Sequence, residues 1–296
     1  LSVTSYGLLA TALLCCSLAQ ANLATYDFES VVNNTTLVGQ DNWVYPLTPP
    51  GGAFDMDVRS GTGSNTTQIA MDAVTSSIGG YASRINDGAF SYTAGFTQQT
   101  WIVQADMRWA ANGLAAVHLG NDLDGDGSIE VFGTTVGASG NLVGYEYSGN
   151  LLRRDSATLT VAGTTVAAPA SFDVGDWVRL RLEIDWTKNY SLTFSGVDYY
   201  FGAGWLFYMN LTDGETVFTP VPGLQDVNLG TSTRDFVQSF RYAQVDGNPT
   251  TFALPGVYIR VDQNSGGLDN LALGVPEPSV VALAGLGCLL CLRRRK

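Results

Sequence analysis

The stretch "NDLDGDGSIEVFG", residues 121–133, holds the densest potential chemistry in the chain. Asp122, Asp124 and Asp126 alternate, Gly127 follows, and Ser128 and Glu130 come next. A calcium loop needs oxygen ligands at its first, third and fifth positions, a glycine at the sixth for the sharp turn, and a backbone carbonyl at the seventh. Ser128 would offer that carbonyl, and Glu130 a further oxygen at the ninth position. Three carboxylates this close repel one another unless a cation sits between them. The spacing departs at the twelfth position, where a bidentate glutamate belongs and Gly133 stands. Two readings stay open: calcium held by Asp122, Asp124, Asp126, Ser128 and Glu130, or a solvated hairpin turn between "GLAAVHLG" and "SIEVFGTT".

A second cluster is aromatic. "DYYFGAGWLFYMNLTDG" (198–214) contains Tyr199, Tyr200, Trp205 and Tyr208, with Phe201 and Phe207 among them. Sugars lay their apolar faces on aromatic rings while a few polar groups fix orientation. Polysaccharide contact through Tyr199, Tyr200, Trp205 and Tyr208 is one reading. Core packing is the other, because Trp205, Phe207 and Met209 alternate as the buried face of a strand does. In "EIDWTK" (183–188), Glu183 and Asp185 are two apart, so a strand projects both to one side. His118, the only histidine, lies inside "AAVHLG" and reads as structural. The chain contains no phosphate-cradling glycine loop and no HExxH motif.

Strands must position these groups. "GDWVRLRLEIDWT" alternates Val178, Leu180, Leu182, Ile184 and Trp186 against Arg179, Arg181, Glu183 and Asp185, the period of a half-buried strand. "QTWIVQADMRWA" sets Trp101, Val103, Ala105 and Met107 opposite Ile102, Gln104, Asp106 and Arg108, and "TYDFES" puts Tyr26 and Phe28 on one face. Further strands are expected in "LVGYEYSG", "ATLTVAGT", "SLTFSG", "GWLFYMNLT" and "GVYIRVDQ". Asp-Gly pairs at 87–88, 124–125, 126–127, 213–214 and 246–247 punctuate them. Many short strands with such turns predict a β-sandwich.

Composition agrees. Of 296 residues only 14% are charged, while glycine reaches 34. The formal charge is −12; without the terminal Arg293, Arg294, Arg295 and Lys296, fifteen bases less four face 27 acids, or −16. So acidic a body offers no basic face for nucleic acid. All four cysteines (Cys15, Cys16, Cys288, Cys291) fall in two terminal apolar segments, so a body without its ends has no thiol chemistry.

At the N-terminal end, Leu8 to Leu18 is an apolar run followed by Ala19-Gln20-Ala21, the plan of a secretory signal peptide over residues 1–21. At the other end, Val280 to Leu292 is 13 residues. As a helix it would cover about 20 Å, short of the roughly 30 Å hydrocarbon layer. The expectation is transient inner-membrane association, with the basic tail on the cytoplasmic side.

Pro276-Glu277-Pro278, the short apolar run and Arg293-Arg294-Arg295-Lys296 together resemble the PEP-CTERM sorting signal, over residues 275–296. The resemblance implies an exosortase-type processing enzyme as partner and export to the cell surface or extracellular matrix of a bacterium with an outer membrane. "DWVRLRLEIDWTKNYSLTFSG" resembles the central strand pair of concanavalin A-like, laminin-G-type sandwiches, and "GGLDNLALG" (266–274) their closing strand, which pairs beside the opening one, here "TYDFES". Laminarinase-type glucanases share that fold and place Glu-x-Asp-x-(x)-Glu on one strand. Here Glu183 and Asp185 match, while Thr187 and Lys188 stand where the second glutamate belongs, so no acid/base partner is visible.

The expected protein is all-β: an antiparallel jelly-roll β-sandwich of concanavalin A-like class over residues 22–274, exported and non-catalytic. It would bind polysaccharide or act structurally, with calcium as its cofactor. A laminarinase-like glycoside hydrolase is the alternative.

Overall fold

The computed structural model describes residues 24–32, 35–44, 56–60, 68–72, 80–85, 100–108, 114–121, 143–148, 157–161, 164–194, 197–229, 242–245, 248–249, 255–261 and 267–274. In chain order the described strands are β1 (Ala24–Tyr26), β2 (Thr35–Thr36), β3 (Met56–Ser60), β4 (Gln68–Asp72), β5 (Gly80–Ile85) and β6 (Thr100–Arg108). Next come β7 (Leu114–Asn121), β8 (Val143–Ser148), β9 (Thr158–Val161), β10 (Thr164–Ala167), β11 (Trp177–Phe194) and β12 (Val197–Asn210). The last are β13 (Thr219–Pro220), β14 (Val227–Asn228), β15 (Tyr242–Val245), β16 (Asn248–Pro249), β17 (Pro255–Val261) and β18 (Gly267–Gly274).

The strands form two sheets, and every pairing between them is antiparallel. The larger runs β16-β15-β12-β11-β6-β18-β4-β3-β2, with β1 beside β18 and both β13 and β14 beside β12; the smaller runs β10-β9-β8-β7-β17-β5. Between them lies one apolar core. Val103, Ala105, Met107, Leu180 and Leu182 come from the large sheet, and Val117, Leu159, Val161, Val257 and Ile259 from the small one. The chain is thus an all-β, antiparallel jelly-roll β-sandwich. Its opening strand lies beside its closing strand, through Ala24↔Leu273, Thr25↔Ala272 and Tyr26↔Leu271.

The alternation in β11 is obeyed: Val178, Leu180, Leu182 and Ile184 are fully buried. One expectation is corrected here. "SLTFSG" is not a separate strand; it continues β11, which spans 18 residues. The pairing with β12 slips between Asp185↔Ala203 and Tyr190↔Phe201. Four residues of β11 bridge that interval against one of β12, so the surplus is taken up in a bulge rather than a turn.

Side-chain hydrogen bonds hold the segments at the ends of the strands. Asn210, fully buried, donates from Nδ2 to Ser171 O (3.1 Å), Asp176 Oδ2 (3.0 Å) and Asp213 Oδ2 (2.9 Å), and its Oδ1 accepts the Thr212 and Asp213 amides. This ties the start of β11 to the end of β12 and the predicted Asp213-Gly214 turn, where Gly214 has φ 75°. After β1 the chain turns left-handed at Phe28 (φ 61°), which brings its ring edge-on to Tyr26 at 4.9 Å. Trp43 closes the trio, 5.6 Å from Tyr26 and 6.0 Å from Phe28. Gln40 pins this loop. Its Oε1 accepts the Val32 amide at 2.7 Å, and its Nε2 donates to Thr35 Oγ1 and Thr36 O.

Candidate functional site

Directly opposed residues of an antiparallel ladder share a face. Because Leu180, Leu182 and Ile184 point into the core, so do their partners on β12: Tyr208, Leu206 and Gly204. The other parity points away: Arg179, Arg181, Glu183 and Asp185, opposite Met209, Phe207, Trp205 and Ala203. The reading of Trp205, Phe207 and Met209 as the core side of their strand is therefore corrected; the phase is inverted. Gly204 shows why. A Cβ there would lie 2.9 Å from Leu229 Cδ2 and 3.2 Å from Leu182 Cδ1, so the core side of β12 is closed by residues that come to it from elsewhere. Side-chain size along one strand does not set which face turns inward.

The outer face is a grid of rungs. Trp177, Arg108 and Gly267 form the first. Met209, Arg179, Asp106 and Asp269 form the second; Phe207, Arg181, Gln104 and Ala272 the third; Trp205, Glu183, Ile102 and Gly274 the fourth. Asp106 is fully buried. Arg179 grips it bidentately, Nε to Oδ1 at 2.6 Å and Nη2 to Oδ2 at 2.9 Å, while Asn270 Nδ2 donates to Oδ2 at 2.9 Å. A buried carboxylate is tolerable only when its lone pairs are met in this way. Asn270 reaches it because β18 slips register between Asp269 and Ala272, with Asn270 at φ 47°. Asp269, also fully buried, accepts the Asn270 amide at 2.8 Å.

Farther along, Arg181 Nε lies 3.0 Å from Glu183 Oε1, and its guanidinium sits 5.2 Å from the Phe218 ring. Arg108 rests over Trp177 at 5.3 Å, and burial holds its guanidinium below its ordinary pKa. Half-buried rings beside fixed charges can cradle a flat, polar ligand: rings supply contact area, charges supply orientation.

The structure divides the residues singled out from sequence. Trp205 is half-buried on the outer face, whereas Tyr208 faces the core with its ring edge-on to Phe172 at 5.0 Å. These two cannot contact one ligand together. Tyr199 and Tyr200 lie farther along β12, opposite Leu192 and Ser191 on one side and Ala243 and Tyr242 on the other. Glu183 and Asp185 share the outer face. His118 sits in β7 of the small sheet, between Gly144 and Tyr258. Asp122, Asp124, Asp126, Ser128 and Glu130 lie outside the described residues, as do residues 1–21, Pro276, Glu277, Pro278, Arg293, Arg294 and Arg295. Among the described residues, no group of three or more His, Cys, Asp or Glu could hold a metal, and no helix is long and apolar enough to cross a membrane. Asp106, Arg108, Trp177, Phe218 and Asn270 were not read as site residues. Their one signal was the polar parity of Gln104, Asp106 and Arg108, and it has no meaning until β11 and β18 are known to flank β6.

No protein-family model and no curated protein matches the chain. Among solved structures it is similar to the T. cruzi calreticulin globular domain, at 12% identity and TM-score 0.44 over 88% of this chain and 91% of that one. It is also similar to a protein of unknown function with a galectin-like fold from Bacillus subtilis (9% identity, TM-score 0.30, 70% and 81% of the two chains). A third likeness is to Scytalido-glutamic peptidase with a peptide-based transition-state analogue (12%, TM-score 0.24, 62% and 64%).

Proposed function

We propose that this is an exported, surface-sorted, non-catalytic β-sandwich that binds polysaccharide on the outer face of its large sheet. One observation carries the reading: Trp205 and Phe207 are half-buried on that face, directly across the ladder from Glu183 and Arg181. The rings lie where they add nothing to the inter-sheet core, next to groups able to orient hydroxyls. Export rests on the signal-peptide pattern at residues 1–21 and on the Pro276-Glu277-Pro278 motif with its basic tail. An exosortase-type enzyme would process that tail. The ligand spacing of Asp122, Asp124 and Asp126 supports calcium bracing of that loop.

A glycan array probed with and without millimolar calcium tests the reading. Binding to at least one polysaccharide, lost in Trp205→Ala with the melting temperature kept, is the expected result. Binding to no glycan would defeat it. Chelation is expected to lower the melting temperature, and an unchanged melt would remove calcium from the reading. The mature surface protein should lack residues 1–21 and the apolar tail by intact mass.

Glycan hydrolysis is favoured by a single fact, that Glu183 and Asp185 share a face. A retaining pair needs carboxyl groups about 5 Å apart, yet Glu183 is engaged by Arg181 and the next positions are Thr187 and Lys188. Release of reducing ends from β-glucan, abolished by Glu183→Gln, would make this the better account.

A further inference from the structure

On the outer face, β6 and β11 contribute three arginines on neighbouring rungs, and they are not treated alike. Arg179 is matched by Asp106 through two hydrogen bonds, and Arg181 lies 3.0 Å from Glu183 in an ion pair that leaves its Nε, like that of Arg108, without a hydrogen bond. Arg108 has no carboxylate partner among the described residues. It lies at the end of β6, between Trp177 and Gly267 in direct register. The indole supplies a ring face at 5.3 Å, and glycine supplies no side chain at all. Arg108 is half-buried, and its Nε is enclosed without a hydrogen-bond partner. The neighbouring carboxylates on its face are committed elsewhere: Asp106 to Arg179 and Asn270, and Asp269 Oδ1 to the Asn270 amide.

A cation drawn partly out of water loses solvation that a ring face restores only in part. In a chain with 27 acids against 15 bases, a half-buried arginine left without a carboxylate runs against the supply of partners. The guanidinium fork matches a planar carboxylate in two-point contact, and the adjacent ring suits a sugar. We infer that the Arg108–Trp177 corner is a subsite for a carboxylate-bearing sugar, a uronic-acid unit of an acidic polysaccharide. The inference rests on the polysaccharide reading above and narrows its ligand class. The net charge of −12 repels a polyanion at long range, so the subsite acts by contact.

The test compares binding of the full chain to polygalacturonate and to its methyl ester, the same backbone with the carboxylate masked, at about 0.15 M salt to screen the long-range field. The free acid is expected to bind about tenfold tighter, the factor a charge-assisted hydrogen bond contributes. Arg108→Gln should erase that ratio, chiefly by weakening the free acid, and Arg108→Lys should keep part of it. Equal affinity of the wild-type chain for both polymers overturns the inference whether or not the variants fold, as does a preference that survives Arg108→Gln. If neutral glycans bind without an acid preference, the subsite alone fails. If no glycan binds, the polysaccharide reading fails with it. Self-association of the wild-type chain lost in Arg108→Gln, with no acid preference, would assign the corner to a carboxylate of a second copy and overturn the inference too.

Discussion

The two faces of the large sheet come from the same strands by the same alternation, yet they bury different chemistry. Toward the small sheet, Val178, Leu180, Leu182 and Ile184 meet Val117, Val257 and Ile259, all aliphatic and all fully buried. On the far side, Asp106 and Asp269 are also fully buried, beside Ile102 and Ala272. Burial alone therefore does not distinguish the faces. The inner face is held by apolar volume, which needs no partner groups. The outer face holds charge, and each buried carboxylate has to be met atom by atom, by Arg179 and Asn270 for Asp106 and by the Asn270 amide for Asp269. An arginine with no carboxylate partner among the described residues, Arg108, then becomes informative.

The contrast can be broken by substitution. Leu180→Ala on the inner face is expected to cost most, about 3 kcal/mol by urea unfolding, because it removes buried methyl groups and leaves a cavity. A loss under about 1 kcal/mol would mean that the two sheets pack loosely. Asp106→Ala should come next, at about 2–3 kcal/mol, less than for a fully enclosed pair because Arg179 keeps 22% of its side chain exposed. The sharper measurement is the double variant Asp106→Leu with Arg179→Leu. If the pair is a matched polar inclusion, the double variant should be more stable than Asp106→Ala alone; if it is not, the outer face is not organised by charge matching.

Gly204→Ala tests the phase of β12. With its new Cβ 2.9 Å from Leu229 Cδ2, it should cost about 1–2 kcal/mol, since leucine tips can yield a little but the core around them is full. No cost would place Gly204 on the wrong face. The smallest effect is expected from Tyr26, which lies opposite Leu271 at the end of β1 and packs, half-buried, against the edge of the inner core. Burial, then Asp41, raises its pKa from 10.0 to about 12. The neutral phenol is thus favoured in the folded state. Its contribution is complete below pH 10, where both states hold the proton. It is lost as pH rises from 10 to about 12, where the unfolded chain releases the proton first. Tyr26→Phe should flatten that alkaline decline in a pH series of melting temperatures; an unchanged slope would assign the decline to other groups.

Much of the fold was legible because period two is a local property. The strands of "DWVRLRLEID", "TWIVQADMR", "GLAAVHLG" and "GVYIRV" stand where their alternation put them, and the turn at Asp213-Gly214 stands where its residues did. Short or less alternating strands such as β3, β4 and β5 left no comparable signal, because their pairing partners define them more than their own residues do. The continuation of β11 past Asp185 was likewise hidden: a bulge is set by how β12 pairs on either side of it, and a sequence window sees only an interruption.

For the outer face the limit is similar. Residue types alone pointed to an all-β, acidic sandwich with alternating strands, an aromatic segment at 198–214 and an acidic stretch at 121–133. They could not say which parity of β12 faces inward, because Trp205-Phe207-Met209 and Gly204-Leu206-Tyr208 both alternate and both can be buried. Nor could they join Asp106, Arg179 and Asn270, which stand 73 and 164 residues from one another along the pairs that connect them. The tertiary structure decided both through strand order. Once β11 and β18 flank β6, register places arginine beside aspartate and leaves Arg108 facing an indole and a glycine. Alternation is written along the chain, but partnership across a sheet is a long-range choice made when the two sheets close on one core.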